Sequence, residues 1–270
     1  METQQCLETP ASHVTAVATS TSCRLEAVIL STKEGPRAVK GRAFVDATGD
    51  ADVLWLAGED TLTDSTNVRT GWYFSTKGGE LKRHGLTDPL YTPIPETSRY
   101  YNGVNLEDIS QHMIDGRRMI LESLKKEREE DPDWYPVLIP TFPGVRMTRR
   151  LVTDVEFSAD EHDHMWFDDA IGMIGNWRKR GPRYALSYRG IKAPHLENVY
   201  AAGRCTAAEK SGWDMTRVIP SAAVTGEAAG TAAALQAKAD REVEVPVLQK
   251  QLVRQGVLLD PSLFNRRYDK

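Results

Sequence analysis

An α/β fold is the class this sequence predicts. Short runs of β-branched and apolar residues recur at 14–19, 24–31, 37–47 and 198–204. Two long segments of helical character lie among and after them, at 106–130 and 220–237,. With 270 residues, 40% of them hydrophobic and 27% charged, the chain can bury a sizeable core and sits near the globular average,.

The elements follow in order. VTAVAT (14–19), RLEAVILS (24–31) and RAVKGRAFVDA (37–47) read as strands, because β-branched residues fall at roughly alternate positions,. KEGP between the last two is a turn signal,. The third run breaks at Gly49, and residues 50–57 restart as a short helix or turn. GWYFS (71–75) is a further strand, and the Pro-rich DPLYTPIPET (88–97) is a loop. Residues 106–130 form the clearest helix: Asn105 can cap it, and Glu107 and Asp108 suit its positive end,. Ile109, Met113, Ile120 and Leu124 make its buried stripe, and the tail KKEREED reads as a solvated face,. VRMTRRLVTDVEF (145–157) and LSYRGI (186–191) are strand-like. NVYAAGR (198–204) is a short buried strand ending in Gly-Arg. Pro220 suits the first turn of a helix over 220–237, where its missing N–H costs nothing. VPVLQKQLVRQG (245–256) is a last amphipathic helix stopped by Gly256.

Composition excludes several partners. A net charge of −4 and a pI of about 5.9 provide no field for nucleic acid, although RMTRR and WRKRG are local clusters suited to a small anion,. Cys6, Cys23 and Cys205 are odd in number and lack metal-like spacing, so a reduced, cytoplasmic setting is expected,. SAAVTGEAAGTAAALQA contains Glu227 and is shorter than the roughly 20 residues of a membrane span, so no membrane association is expected,. DEHDH (160–164) reads as an exposed turn, and no metal site is expected,. Cys205 reads as a buried small side chain, having no CxxC partner,.

Three ordered stretches carry a resemblance. GRAFVDATGDADVLWLAGE (41–59) resembles the second dinucleotide motif of FAD-dependent oxidoreductases, where a strand ends in Ala-Thr-Gly-Asp. VRMTRRLVTDVEFSADE (145–161) resembles the Arg-rich strand of that family's substrate-side sheet. ENVYAAGRCTAAEKSGWDMTRVIPSAAVTGEAAGTAAAL (197–235) is similar to its closing strand, Ala-Gly-Arg turn and small-residue helix. The resemblance implies the glutathione-reductase-like FAD-binding fold and FAD as cofactor. It places Thr48, Gly49 and Asp50 on the adenosine side, and Gly203 and Arg204 beside the ribityl-phosphate chain, where related flavoproteins often use an acid. Arg217 and the helix start at Pro220, with the amides of Ser221 and Ala222, fall near the flavin ring, where a helix N-terminus suits negative charge. Gly226 and Gly230 would let that helix lie close to a sheet. Arg146 or Arg149 would grip a substrate carboxylate through a planar fork. No residue can be named as the catalytic base.

A protein of this kind also carries an early strand, Gly-x-Gly-x-x-Gly and a helix. No two of the 20 glycines here are two apart. The expectation is therefore a C-terminal portion beginning after the first βαβ unit. It comprises an incomplete FAD/NAD(P)-binding Rossmann-like domain at 1–61 and 196–270, with an inserted mixed or antiparallel substrate domain at 62–195. One expected function is hydride transfer from a small-molecule substrate to flavin. The other is a non-catalytic remnant or subunit whose exposed sheet edge is covered by a separate chain carrying the Gly-rich unit, or by a homo-oligomer.

Overall fold

The computed structural model describes residues 13–19, 23–90, 93–141 and 144–265. Cys6 and part of the 88–97 loop lie outside them. Strands β1 (His13–Thr19), β2 (Leu25–Thr32), β3 (Gly35–Lys40) and β4 (Phe44–Asp46) precede helix α1 (Asp52–Leu56). Then come β5 (Thr61–Thr63), β6 (Trp72–Lys77), β7 (Glu80–Gly85), α2 (Leu106–Glu130), β8 (Tyr135–Leu138) and β9 (Arg149–Leu151). The chain continues with β10 (Ala170–Gly175), β11 (Arg183–Ser187), β12 (Val199–Ala201), α3 (Lys210–Thr216), α4 (Ile219–Ala239) and α5 (Val245–Gln255). Two compact units result, residues 1–62 with 150–270, and residues 63–149. The functional boundaries expected from the sequence fall instead at 61/62 and 195/196.

In the first unit, β1, β2 and β3 form an antiparallel meander. The single strand expected over 37–47 is broken after Lys40, because the chain must leave the meander to enter a different pairing. β4 lies parallel to β12, with Phe44 opposite Val199 and Asp46 opposite Ala201. Asn198, almost fully buried, joins the two sheets: its Oδ1 accepts from the Leu25 amide, and its Nδ2 donates to the carbonyls of Leu25 and Arg42, each at 2.9 Å. The bonds from Phe44 N to Asn198 O and from Ala202 N to Asp46 O point towards β12. Strand alternation therefore turns the Val45 amide and carbonyl to the outer edge, where no further strand pairs among the described residues,. The other edge of β12 is met by residues 191–193, through Ala201 N to Ile191 O (2.7 Å) and Ala193 N to Val199 O (3.1 Å). Leu25, Val53, Leu54, Leu151, Leu196 and Val199 pack into one apolar core here.

Helix α4 buries Ser221, Thr225, Ala228, Ala229, Ala232 and Ala233. Gly226 and Gly230 are off that face, and a Cβ at either would meet nothing within 4 Å. This corrects the expectation that they permit close sheet packing: the alanine and threonine row makes the contact instead. The stretch 145–157 contains only the short β9, and the strand sought at 186–191 is β11, which ends at Ser187 and passes into a 3₁₀ turn.

The second unit pairs β6 with β7 and β8, all antiparallel, and contains α2. Asn105 caps α2 as its sequence predicts, accepting from the Asp108 amide at 3.0 Å. The fully buried row is His112, Gly116, Ile120 and Glu127, with Ile109, Met113 and Leu124 only half-buried beside it. Gly116 sets this rotation, since a Cβ there would lie 2.5 Å from the Thr70 carbonyl oxygen. Glu127, inside the run expected to be solvated, accepts from Tyr73 (3.3 Å) and Lys82 (3.1 Å) and lies 3.0 Å from His84 Nε2. Burial opposes its charge, yet the bonds from Lys82 and Ser75 hold its pKa below the usual carboxylate range.

Candidate strand-end site

Because β4 and β12 are parallel, their carboxyl ends open on the same side, and the turns after them meet. Asp46 closes β4 with its carboxylate fully buried. Its Oδ1 accepts from Thr48 N (3.0 Å) and Thr48 Oγ1 (2.7 Å), and its Oδ2 from Leu54 N (3.0 Å). Thr48 Oγ1 in turn accepts from the amides of Asp50 and Asp52. An Asx-type turn thus caps α1 by a side chain six residues before the helix. Gly49, at φ +83°, supplies the reversal that the turn needs,.

Cys205 lies under this turn. Its Sγ accepts from Gly49 N (3.2 Å) and Ala51 N (3.3 Å). Burial first, and then the Asp46 charge, push the thiol pKa up to about 12. A thiol with so little thiolate is inert at neutral pH. Iodoacetamide on the native chain is therefore expected to label the exposed Cys23 and spare Cys205. Peptide mapping by mass spectrometry checks this, and labelling of Cys205 before global unfolding would contradict it.

The turn after β12 docks on α4 through Gly203, whose amide donates to Thr225 Oγ1 at 2.9 Å. The Arg204 guanidinium reaches across to the β4 turn, donating from Nε to the Gly49 carbonyl and from Nη2 to Asp50 Oδ1 (2.7 Å). Trp213 Nε1 holds the Arg204 carbonyl at 2.7 Å. Arg204 thus links the two turns, a role that explains a cation at this position.

Beyond it, Arg217 donates from Nε and Nη2 to the buried Asp214, and Arg178 donates to the other carboxylate oxygen. Burial works against the Asp214 charge, but the two guanidinium groups keep its pKa below the usual carboxylate range. Arg217 Nη1 has no partner among the described residues. Helix α4 begins at Ile219 without a side-chain cap, with Pro220 in its first turn. The Ser221 side chain is buried and its amide has no acceptor among the described residues. Ala222 differs from expectation, because its amide already bonds Val218 O at 2.9 Å.

The structure brings together Thr48, Gly49, Asp50, Gly203 and Arg204, while Arg217, Pro220 and Ser221 continue from α3 into α4 in the same unit. Arg146 and Arg149 belong to the second unit, and the backbone amide of Arg146 bonds Asn67 Oδ1 at 3.1 Å. Arg150, their neighbour, is fixed by a two-pronged pair with Glu156 at 2.6 and 2.8 Å. Asp46, Asp214 and Thr225 are organising residues that sequence reasoning missed, whereas Cys205 is the buried small side chain expected. Asp46 alone had a signal, an Asp two residues before Thr at a strand end.

Two parallel strands ending together, a glycine at each turn and an uncapped helix start make this strand end the candidate site of an α/β fold,. A family model described as FAD dependent oxidoreductase matches residues 7–71 and 59–252, and the chain belongs to this family. FAD is the cofactor of that family, and the chain carries mixed α/β structure consistent with its FAD-binding fold. No curated protein matches the chain. Among solved structures, CabE, an aromatic hydroxylase from angucycline biosynthesis, aligns over 90% of this chain and 45% of its own, at 14% identity and a TM-score of 0.35. The chain thus spans less than half the length of that protein. Among the described residues no helix is long and apolar enough to cross a membrane.

The donors divide in their fit to an anionic cofactor group. The Ser221 amide, in a buried residue, and Arg217 Nη1 have no hydrogen-bond partner among the described residues, whereas the amides of Gly49, Gly203 and Ala222 are already used within the fold.

Proposed function

We propose that this chain is the portion of an FAD-dependent oxidoreductase that borders the ring and ribityl chain of the flavin, in hydride transfer from a small organic substrate. The family match supports it, and the observation that carries it is the uncapped start of α4 beside Arg217 in the unit that holds the β4 and β12 turns. When bound, flavin supplies a hydride acceptor at N5 and passes the electrons to a second acceptor. The chain's own part is electrostatic. Ser221 N–H and the positive end of α4 favour negative charge, and Asp214 fixes the Arg217 guanidinium so that Nη1 can donate to it. Thr48, Gly49 and Asp50 act through shape, with Arg204 closing their turn against Gly203. Arg146 or Arg149 is the proposed substrate-carboxylate contact.

A second reading is that these 270 residues form a non-catalytic partner of a chain carrying the Gly-rich unit. The outward-facing Val45 backbone and the open Gly226 and Gly230 face favour it,. The test is FAD titration with thermal unfolding, on the 270 residues alone and joined to a strand, Gly-x-Gly-x-x-Gly and helix segment. The 270 residues alone are expected to retain far less than one FAD per chain. The joined form is expected to gain FAD and melting temperature together, because a ligand of the folded state adds its own stabilisation. In that form Arg217→Ala should lower the flavin reduction potential, by on the order of 1–3 kcal/mol for a charge-assisted contact. Near-stoichiometric FAD on the 270 residues alone would remove the second reading, and no uptake by either form would remove both.

A further inference from the structure

The WRKRG cluster is divided by the fold into two roles. It lies in the turn between β10 and β11, where Asn176 Oδ1 accepts from the amides of Arg178 (2.9 Å) and Lys179 (3.1 Å), and Asn176 N bonds Pro182 O. Arg178 turns to the buried Asp214 and is structural. Lys179 and Arg180 instead line a cavity of about 370 Å³, and neither has an ion-pair partner among the described residues. Arg183, the third cation of this cavity, is anchored by the Leu263 carbonyl.

Among the described residues no acidic side chain lines the cavity, and Met173, Ile174, Leu258 and Leu263 form its apolar wall. Leu258 is 65% exposed at present, so an occupant that covered it would gain from burial,. One sign of charge against low-dielectric walls focuses an attractive field on anions. The volume falls within the roughly 300–1,000 Å³ of small-molecule sites.

We propose that this cavity is a binding site for a small organic carboxylate with an apolar chain or ring, its carboxylate held by Lys179 and Arg180 and its body against Leu258 and Ile174. An inorganic anion would leave the apolar wall wet, and a neutral lipid would leave the cations without a partner. The site stands apart from the flavin reading, and failure of one leaves the other untouched.

Sodium octanoate is the probe, titrated by calorimetry at low salt, with the Met173 methyl resonance as a local reporter. Saturable binding of one octanoate per chain is expected, with a shift at Met173. Octan-1-ol and inorganic phosphate should each bind at least about tenfold more weakly. The double variant Lys179→Ala/Arg180→Ala should weaken octanoate about tenfold, the scale for losing two exposed ionic contacts. Leu258→Gln should weaken it several-fold. These side chains are on the surface, and an unchanged melting temperature confirms that the variants fold. The proposal is overturned by absence of octanoate binding, by equal binding of octan-1-ol or phosphate, or by a double variant that binds like the parent.

Discussion

Asp46→Ala is expected to destabilise the first unit by on the order of 1–3 kcal/mol, the cost of a buried donor left without an acceptor. Three donors lose their acceptor together: Thr48 N, Thr48 Oγ1 and Leu54 N. Thr48 is exposed, so water can meet its hydroxyl and amide, but the Leu54 amide is buried and fixed by the backbone. Once the turn loosens, the amides of Gly49 and Ala51 should also leave Cys205 Sγ, so alkylation of that thiol should accelerate. Asp46→Asn keeps one carbonyl acceptor but aims an NH₂ group at an amide, so an intermediate loss is expected. Urea unfolding reads both variants as a lower midpoint at unchanged slope. If Asp46→Ala unfolds within half a kcal/mol or so of the parent, the turn does not depend on this carboxylate.

Gly212→Ala is the second large effect. A Cβ there would lie 1.9 Å from the Phe157 carbonyl oxygen and 2.7 Å from its carbon, and both are backbone atoms that cannot swing aside. Helix α3 would have to move away, straining the bond from Glu209 N to Phe157 O (2.9 Å). It carries the buried Trp213 and Asp214, so their contacts with Arg204 and Arg217 would move too. Overpacking alone costs about 1–3 kcal/mol, and with the lost bonds a loss near or above the upper end is expected. Gly226→Ala provides the opposite sign: with nothing within 4 Å of its Cβ, it should gain roughly 0.5–1 kcal/mol of helix propensity,. Thermal unfolding of the pair tests the contrast, and equal responses would show that the α3 contact is not tight.

Local chemistry explains which parts were legible. Helix α2 begins where its Asn105 cap and acidic first turn place it, because capping is decided by neighbours in sequence. Its buried face keeps Ile120 of the expected stripe but is rotated from the rest, because Gly116 is pressed onto Thr70 by a contact 46 residues away in sequence. The same holds for Glu127, whose partners Tyr73, Lys82 and His84 come from β6 and β7. Residues 80–85, 135–138 and 170–175 gave no strand signal, and each is a strand because a neighbour pairs with it.

By itself the sequence determined the α/β class, the family through three ordered motifs, the start of α4 near Pro220, and the stop of α5 at Gly256. Those features rest on propensity, capping and φ preference, which act over a few residues. Only the tertiary structure decided which amides of the strand-end turns are still available. Cys205 and Asp46 meet across 159 residues of chain, as do Gly203 and Thr225 across 22, and such bonds use up donors that look available in sequence. The physical reason is that a buried N–H must find an acceptor somewhere, and the fold, not the motif, brings that acceptor to it.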